Sequence, residues 1–398
     1  MKKGFKIRWV SWLIIASGIF LSLMMKPQSV CASAETPQPQ KTFMVYYRAW
    51  RDQAMHGVNT TILDPNPQSM LDLPYGIDII NVFSYVPAGQ EAKAQPFFDR
   101  LRTIYAPEMH RRGAKLVRAL DYGRMVDGLI QQYGQHPTAS EIDDYVQTLI
   151  YELSGQWGLD GIDIDMEQYP DAKKVALSDR IIQTMGQYLG PKAENGTLLI
   201  YDTNGSYLAP FENVMGYFSN LGYQQYGSGP SRTEKMRQTY TAAGFPQNRL
   251  LAGLTFPEEG DHNRWYDTDP NHFLRSNMHT VATFSRENLG GMFVYAVDRD
   301  GRTYDEPDFS HIRKTTYRWT KTAILETKGY PLNEIKAAAY RHLKKIAPRI
   351  SPIQYQLLYR QINQATNAFE VNSVFMKDDF NGAVDPTFDA VKEMQMDM

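Results

Sequence analysis

Four carboxylates crowd one short stretch of the chain, Asp160–Glu167 (DGIDIDME). In an extended strand alternate side chains point to opposite faces, so Asp163, Asp165 and Glu167 share one face while the other face is apolar. Carboxylates desolvated together repel one another, and their pKa values separate until one can stay protonated near neutral pH. The pattern therefore predicts general acid–base chemistry. A solvated edge strand and a metal site at Asp163 and Asp165 are the alternatives, although no metal-spaced histidine pair accompanies them.

Strand-like runs alternate with amphipathic helical runs along residues 42–328, and these elements must position the carboxylates. The predicted strands are 42–47, 77–85, 114–121, 160–167, 197–202, 221–226, 250–256 and 291–297. The predicted helices are 96–112, 140–157, 178–189, 233–243 and 312–327, the second opening on a capping-box-like Ser140-x-x-Asp143. Eight such units over about 285 residues predict an α/β fold, a closed (β/α)8 TIM barrel. An open doubly wound sheet is the alternative, but no Gly-rich phosphate loop follows the first strand.

Residues 329–398 have a different pattern, which predicts a small C-terminal helical bundle of three-helix type and a tail. One apolar stripe runs from Leu332 to Ile346, and Ser351-Pro352 then supplies an N-cap followed by proline at the first helical position. A second stripe covers 355–365, and a third short helix is predicted at 369–376. The bundle is expected to be appended to the barrel.

The first 34 residues have the composition of a secretory signal peptide. A basic start precedes the uncharged apolar run 9–25, and Ala32-Ser33-Ala34 gives a small-residue cleavage pattern. Residues 35–41 are predicted to be an extended linker. An uncleaved anchor and a lipid anchor at Cys31 are the alternatives.

Cysteine content and charge limit the compartment and the partners. Cys31 is the only cysteine, so a mature chain has none, as in a secreted bacterial protein, with a Gram-positive source expected. Removing residues 1–34 removes five Lys/Arg and no Asp/Glu, which takes the formal net charge from −2 to about −7. That balance argues against nucleic acid as a partner. We expect a released extracellular monomer without a membrane anchor after signal cleavage.

Polar and aromatic residues gather where the predicted strands end, which is where TIM-barrel sites lie. Glu167 ends the fourth strand, and Gln224 and Tyr226 end the sixth. Further candidate substrate contacts at strand ends or in the following loops are Trp50, Glu258, Trp265 and Tyr295. Aromatic faces stack on sugar rings, so an acidic centre ringed by aromatics predicts a carbohydrate cleft. The mature sequence has no cysteine nucleophile, no Gly-x-Ser-x-Gly motif and no metal-spaced pair of histidines. No metal or cofactor is therefore predicted.

Several neighbouring residues are expected to be structural. Tyr46, Phe83 and Phe293 are predicted to be core, and Asp298 and Arg299 to form an ion pair at the barrel rim. Asp160 has the opposite parity from the carboxylate face and is predicted to brace the barrel.

The stretch DGIDIDME matches the DGxDxDxE signature of glycoside hydrolase family 18. Chitinases of that family carry Met-x-Tyr-Asp on the sixth strand, whereas Gln224-Gln225-Tyr226 resembles the endo-β-N-acetylglucosaminidase branch. The runs 45–51, 79–87 and 263–267 are similar to the catalytic domain of streptococcal and enterococcal endoglycosidases acting on N-glycans, including the immunoglobulin-directed enzyme. This resemblance covers roughly residues 41–325. The tail around 335–375 resembles the helical bundles of those enzymes and of bacterial albumin-binding modules.

The resemblance implies a retaining hydrolase that cuts the β-1,4 bond within the N,N′-diacetylchitobiose core of N-glycans. Glu167 is then the acid and later the base, while Asp165 orients the substrate's own acetamido group as nucleophile and Asp163 supports Asp165. Tyr226 and Gln224 are expected to position the acetamido group. The implied partners are N-glycosylated glycoproteins, possible immunoglobulins among them. A chitinase of the same family and a non-catalytic glycan- or host-protein-binding protein are the alternatives.

Overall fold

The computed structural model describes residues 40–62, 64–260, 262–304, 310–376 and 384–396. The predicted signal peptide 1–34 and most of the predicted linker lie outside the described residues. These described residues form one compact unit. In the described part of the chain, no helix combines the length and apolarity that crossing a membrane requires.

Eight parallel strands close into a barrel in sequence order, which confirms the predicted fold class. Every predicted strand overlaps an observed one, because these apolar runs are covered on both faces. The strands are β1 Thr42–Arg48, β2 Ile79–Phe83, β3 Lys115–Asp121, β4 Gly161–Met166, β5 Leu198–Thr203, β6 Asn220–Gln224, β7 Leu250–Thr255 and β8 Gly291–Tyr295.

The helices follow the sequence less closely. They are α1 Glu91–Arg100, α2 Ala106–Arg111, α3 Tyr122–Tyr133, α4 Ala139–Leu153, α5 Ala172–Met185, α6 Ala209–Glu212, α7 Pro230–Ala242, α8 Asn277–Asn288, α9 Arg318–Lys328, α10 Leu332–Ile346, α11 Pro352–Gln364, α12 Ala368–Phe375 and α13 Ala390–Gln395. The sequence missed α3 and α8, and the short helices α6 and α13 as well. The predicted capping box at Ser140 is wrong, because Thr138 and Glu141 form it: the Thr138 hydroxyl accepts from the Glu141 N–H at 3.3 Å and the Glu141 carboxylate accepts from the Thr138 N–H at 2.7 Å.

Strand register brings the acidic residues together. Asp165 on β4 lies level with Asp121 on β3 and with Asp202 on β5. Asp160, just before β4, instead accepts the N–H of Leu116 at 2.7 Å, so it braces the amino end of the barrel as its parity predicts.

The C-terminal helices pack directly on the outer helix α9. Phe369 of α12 packs on Trp319 of α9 with ring centroids 4.6 Å apart, and Asn372 donates to the Thr322 hydroxyl at 2.9 Å. The buried ammonium of Lys321 donates to the carbonyl of Phe388 at 2.7 Å. Helices α10, α11 and α12 confirm the predicted bundle. It shares one continuous apolar core with the barrel and is not a separate appended unit.

Candidate active site

A cavity of about 590 Å³ opens at the carboxyl end of the barrel. Most of the predicted site residues line it, namely Asp165, Glu167, Gln224, Tyr226, Trp265 and Tyr295, joined by Tyr46, Phe83, Asp202, Asn204, Arg232 and Asn263. A groove of about 720 Å³ on the outer wall beside α4 is larger, but it lies away from the strand ends and from the acidic cluster. The chemistry therefore belongs to the barrel cavity.

Asp163 forms the floor of this site. Its Oδ2 accepts hydrogen bonds from the Tyr46 hydroxyl at 2.6 Å and from the Asn81 side-chain amide at 2.7 Å. Burial raises the pKa of Asp163 to about 6, and the two hydrogen bonds limit that rise. Tyr46 was predicted to be core only; it packs in the barrel interior and also reaches the carboxylate face, because its strand position points inward.

Asp165 and Asp202 share the side-chain amide of Gln224 above that floor. The amide donates to Asp202 Oδ2 at 2.7 Å and to Asp165 Oδ1 at 3.4 Å. Burial, and after it the neighbouring carboxylates, raises the pKa of Asp165 to about 8. The same causes raise the pKa of Asp202 well above its ordinary value. The cluster therefore retains a proton at neutral pH. The sequence predicted only the pair Asp163 and Asp165, and Asp202 is a further member of the cluster.

Glu167 stands at the mouth of the cavity, with an exposed side chain. The side-chain amide of Asn204, from the loop after β5, donates to Glu167 Oε2 at 3.2 Å. Glu167 follows the end of β4 and lines the open cavity. A carboxyl held in this way can exchange protons with a bound substrate and with water.

Aromatic rings form the wall opposite the carboxylates. Tyr226 and Tyr295 stack with centroids 6.1 Å apart and planes inclined by 23°. Phe83, predicted to be core, meets Tyr295 edge to face at 5.6 Å and lines the cavity. Burial raises the pKa of the Tyr226 hydroxyl well above its ordinary value, so it acts as a neutral hydrogen-bonding group.

Glu258 lies behind this wall instead of lining the cavity, unlike its predicted role as a substrate contact. Its Oε1 accepts from Arg48 at 2.6 Å and from the Tyr295 hydroxyl at 3.2 Å, and its Oε2 accepts from Asn263 at 2.5 Å. Asn263 Oδ1 in turn accepts the indole N–H of Trp265 at 3.1 Å. Glu258 thus connects β1 to the indole ring and fixes where that ring stands.

Arg48 anchors the same chain of contacts. Both carboxylate oxygens of Asp298 accept hydrogen bonds from the Arg48 guanidinium, at 2.9 and 2.6 Å. The sequence predicted an ion pair of Asp298 with Arg299 and did not include Arg48. Trp50, also predicted to touch substrate, is 7% exposed and packs against Phe83 with centroids 5.7 Å apart. It supports the wall from behind.

Several polar residues of the site were missed from the sequence, Asp202, Asn81 and Asn204 among them. Asp202 had a usable signal, because an acid ending the apolar run TLLIYD obeys the same strand-end rule as Glu167. Asn81 and Asn204 carry no comparable signal, since an amide on a strand or in a loop is common. Their roles come from contacts across the barrel, at separations of 82 and 37 residues.

Replacing Trp265 with alanine is expected to raise KM for an oligosaccharide substrate about tenfold with kcat nearly unchanged. The ring is 53% exposed beside the cavity, so its loss removes a stacking surface and leaves the core intact. Steady-state kinetics and thermal unfolding measure the two effects. Tyr151→Ala removes an aromatic ring that is 63% exposed on α4 and is expected to change neither quantity. A loss confined to kcat would contradict the assignment.

Asp165→Asn is expected to flatten the pH dependence of stability. A carboxyl whose pKa is raised on folding stabilises the protein fully below its unfolded pKa, and that contribution is lost as pH rises through the folded value of about 8. Asparagine stays neutral, so the melting temperature of the variant should fall less between pH 5 and pH 8 than that of the wild type. Thermal unfolding across this range is the measurement. Asp144→Asn, on the exposed face of α4, should follow the wild type; identical slopes for all three proteins would contradict the raised pKa.

Fold and site together define a class. A TIM barrel with a protonated carboxylate cluster under an exposed glutamate, walled by aromatic rings, is a carbohydrate-active hydrolase of the acid–base type. Among the described residues, no group of three or more potential ligands could hold a metal ion.

Comparison with known proteins specifies the class. Residues 45–294 match the family model of the endo-beta-N-acetylglucosaminidase EndoS TIM-barrel domain. The chain is 44% identical over 383 residues to an endo-beta-N-acetylglucosaminidase of Bifidobacterium longum subsp. infantis, covering 91% of this chain and 69% of that protein. It is 27% identical to endo-beta-N-acetylglucosaminidase F2 of Elizabethkingia meningoseptica, covering 70% and 79%. The chain belongs to the endo-β-N-acetylglucosaminidase family.

A solved structure agrees with this membership. An endo-beta-N-acetylglucosaminidase from Cordyceps militaris superimposes with a TM-score of 0.63 at 28% identity, covering 74% of this chain and 92% of that one. In that crystal, an aspartate and a glutamate two positions apart are replaced by asparagine and glutamine, and the protein holds fucosyl-N-acetylglucosamine-Asn. Asp165 and Glu167 have the same residue types at the same spacing.

Proposed function

We propose that the chain is a family 18 hydrolase that cuts the β-1,4 bond between the two core N-acetylglucosamine residues of N-glycans and leaves one on the protein. The observation that carries the proposal is the cavity that unites the exposed Glu167 with the partly buried Asp165, whose pKa is raised to about 8, and with the Gln224 amide. Its substrates are N-glycosylated glycoproteins, immunoglobulins being one possible class. The signal-like first 34 residues support secretion of the enzyme.

The acetamido group of the substrate supplies the nucleophile in this mechanism. Glu167 gives its proton to the glycosidic oxygen while the acetamido carbonyl oxygen bonds to the anomeric carbon of the same sugar, and the leaving sugar departs with the bonding electrons. The resulting oxazolinium ion forms from atoms already joined, so the step gains the high effective concentration of an intramolecular reaction. Glu167 then removes a proton from water as it attacks the same carbon, and the configuration is retained.

Asp165 stabilises the positive charge that develops on the acetamido nitrogen. A carboxyl whose pKa is about 8 is neutral in the empty site, and the approach of a cation favours its ionised form. Its proton can pass to Asp163, which lies on the same strand face and whose Oδ1 accepts no hydrogen bond from the described residues. Asp165 is thus poised to become charged when the oxazolinium forms, which is the time at which charge lowers the barrier.

The chitinase alternative predicts a different substrate. Gln224 stands where family chitinases carry the first residue of Met-x-Tyr-Asp, and here it is occupied in bridging Asp202 and Asp165. The test is digestion of a denatured N-glycoprotein and, in parallel, of chitin oligomers. We expect mass spectrometry to find each glycosite reduced to a single N-acetylglucosamine, with the oligomers cut far more slowly. Faster cleavage of the oligomers would favour the chitinase.

A further inference from the structure

Two tyrosines stand exposed on the catalytic face of the barrel, beside the cavity and outside the residues that line it. Tyr169, in the loop after β4, is 80% exposed, and its ring lies 5.5 Å from that of Tyr207, in the loop after β5. We call these two rings the tyrosine pair. Unlike a single exposed ring, two exposed rings in contact form a continuous apolar patch, which can serve as a binding surface.

The pair is held in place by contacts made beneath it. The Tyr207 hydroxyl donates to the carbonyl of Pro170 at 3.1 Å, which ties the two loops together. The Tyr240 hydroxyl of α7 donates to the carbonyl of Gly205 at 2.8 Å, and Arg232 donates to that of Asn204 at 3.3 Å. These three hydrogen bonds fix the loop after β5 and join it to the loop that carries Tyr169, as a preorganised surface requires.

The position of the pair relative to Glu167 decides which sugar it can meet. Asp165, Gln224 and Tyr226, which the proposed mechanism places around the acetamido group of the cleaved sugar, line the cavity with the exposed Glu167, whereas the tyrosine pair lies outside that lining. Asn204, which holds Glu167, is followed directly by Gly205, where an added Cβ would lie 3.9 Å from the Tyr169 hydroxyl. Because the acid acts on the oxygen that joins the two sugars, a surface on this outer side faces the sugar that departs.

We propose that the tyrosine pair is the binding platform for the leaving N-acetylglucosamine, the sugar that stays on the asparagine. The apolar face of this sugar stacks on the exposed Tyr169 ring, and Tyr207 packs against that ring from the loop after β5. The proposal rests on the proposed function, and it assigns a leaving-side specificity surface distinct from Trp265, which lines the cavity beside Gly227.

The test compares two substrates that differ only on the leaving side. A glycopeptide carries the leaving sugar, whereas the glycan supplied as its preformed oxazoline has none and needs only water. Tyr169→Ala and the double variant Tyr169→Ala/Tyr207→Ala should raise KM for the glycopeptide about tenfold while oxazoline hydrolysis stays within about twofold of wild type. Trp265→Ala should impair both substrates, because it acts on the glycan that they share.

Matched variants separate stacking from folding. Tyr169→Phe keeps the ring and should restore the glycopeptide KM, and Tyr151→Ala removes an exposed ring elsewhere and should change nothing. Tyr169→Ala alone removes no buried contact, so it answers the question even where the double variant unfolds. An equal loss on both substrates, or no loss on either, overturns the platform. A wild type that releases no glycan from the glycopeptide overturns the proposed function and the platform with it.

Discussion

Replacing Glu167 with glutamine is expected to lower kcat for N-glycan release by at least about 10³-fold, since general acid–base catalysis contributes about 10²–10⁴-fold and this residue serves both steps. Glutamine keeps the shape and can still accept from Asn204, but it has no proton to give and cannot activate water. The side chain is exposed at the cavity mouth, so the melting temperature should be unchanged. Release of labelled glycan from a denatured glycoprotein, together with thermal unfolding, measures both effects.

Glu287→Gln is the matched control for that loss. Glu287 is an exposed glutamate in the last turn of α8, which leads into β8 and so lies at the opposite end of the barrel. The same substitution there should leave kcat at the wild-type value. Retention of more than a tenth of wild-type activity by Glu167→Gln would rule out its role as acid and base.

Asp165→Asn is expected to lower kcat by about 10²–10³-fold, the usual cost of losing one preorganised electrostatic contact to a transition state. Asparagine can still orient an acetamido group, but it cannot acquire the negative charge that offsets the oxazolinium. The loss should fall on kcat and leave KM nearly unchanged, because the charge develops only during the reaction. Steady-state kinetics on a glycopeptide separates the two constants.

The preformed oxazoline discriminates between a missing charge and a damaged site. It enters after the step in which the acetamido group attacks, so Asp165→Asn should turn it over far better, relative to wild type, than it cleaves the glycopeptide. Glu167→Gln should hydrolyse it poorly, because water still requires a base. Equal losses of Asp165→Asn on both substrates would indicate a distorted cavity instead of a missing charge.

The barrel could be predicted from the sequence because its signals are local. Eight apolar runs of strand length, separated by helical spacing, leave few ways to bury both faces of each strand. Helices α3 and α8 escaped because Gly123, Gly128 and the polar run SNMHTVATFSREN dilute their apolar stripes. Both helices nonetheless form, since tertiary burial of residues such as Val126 and Val281 outweighs weak local propensity.

The site was predicted where one strand carries it and missed where several strands meet. Alternation along β4 is enough to place Asp163, Asp165 and Glu167 on one face. The roles of Asp202 and Tyr46 depend on which side chains the closed barrel brings close to the carboxylates of β4. That depends on the register between strands, which strand order alone does not give. Glu258 and Trp50 were predicted to contact the substrate, but they lie behind the aromatic wall. A strand end predicts that a side chain is near the cavity, but not which side of the wall it occupies.

The central claim is that water attacks the anomeric carbon between the two core sugars, and digestion in heavy-oxygen water tests it most directly. Mass spectrometry of both products locates the label. We expect heavy oxygen at the reducing end of the released glycan and an unlabelled single N-acetylglucosamine on each asparagine. Heavy oxygen in an aspartate at the former glycosite, with the whole glycan removed, would contradict the account.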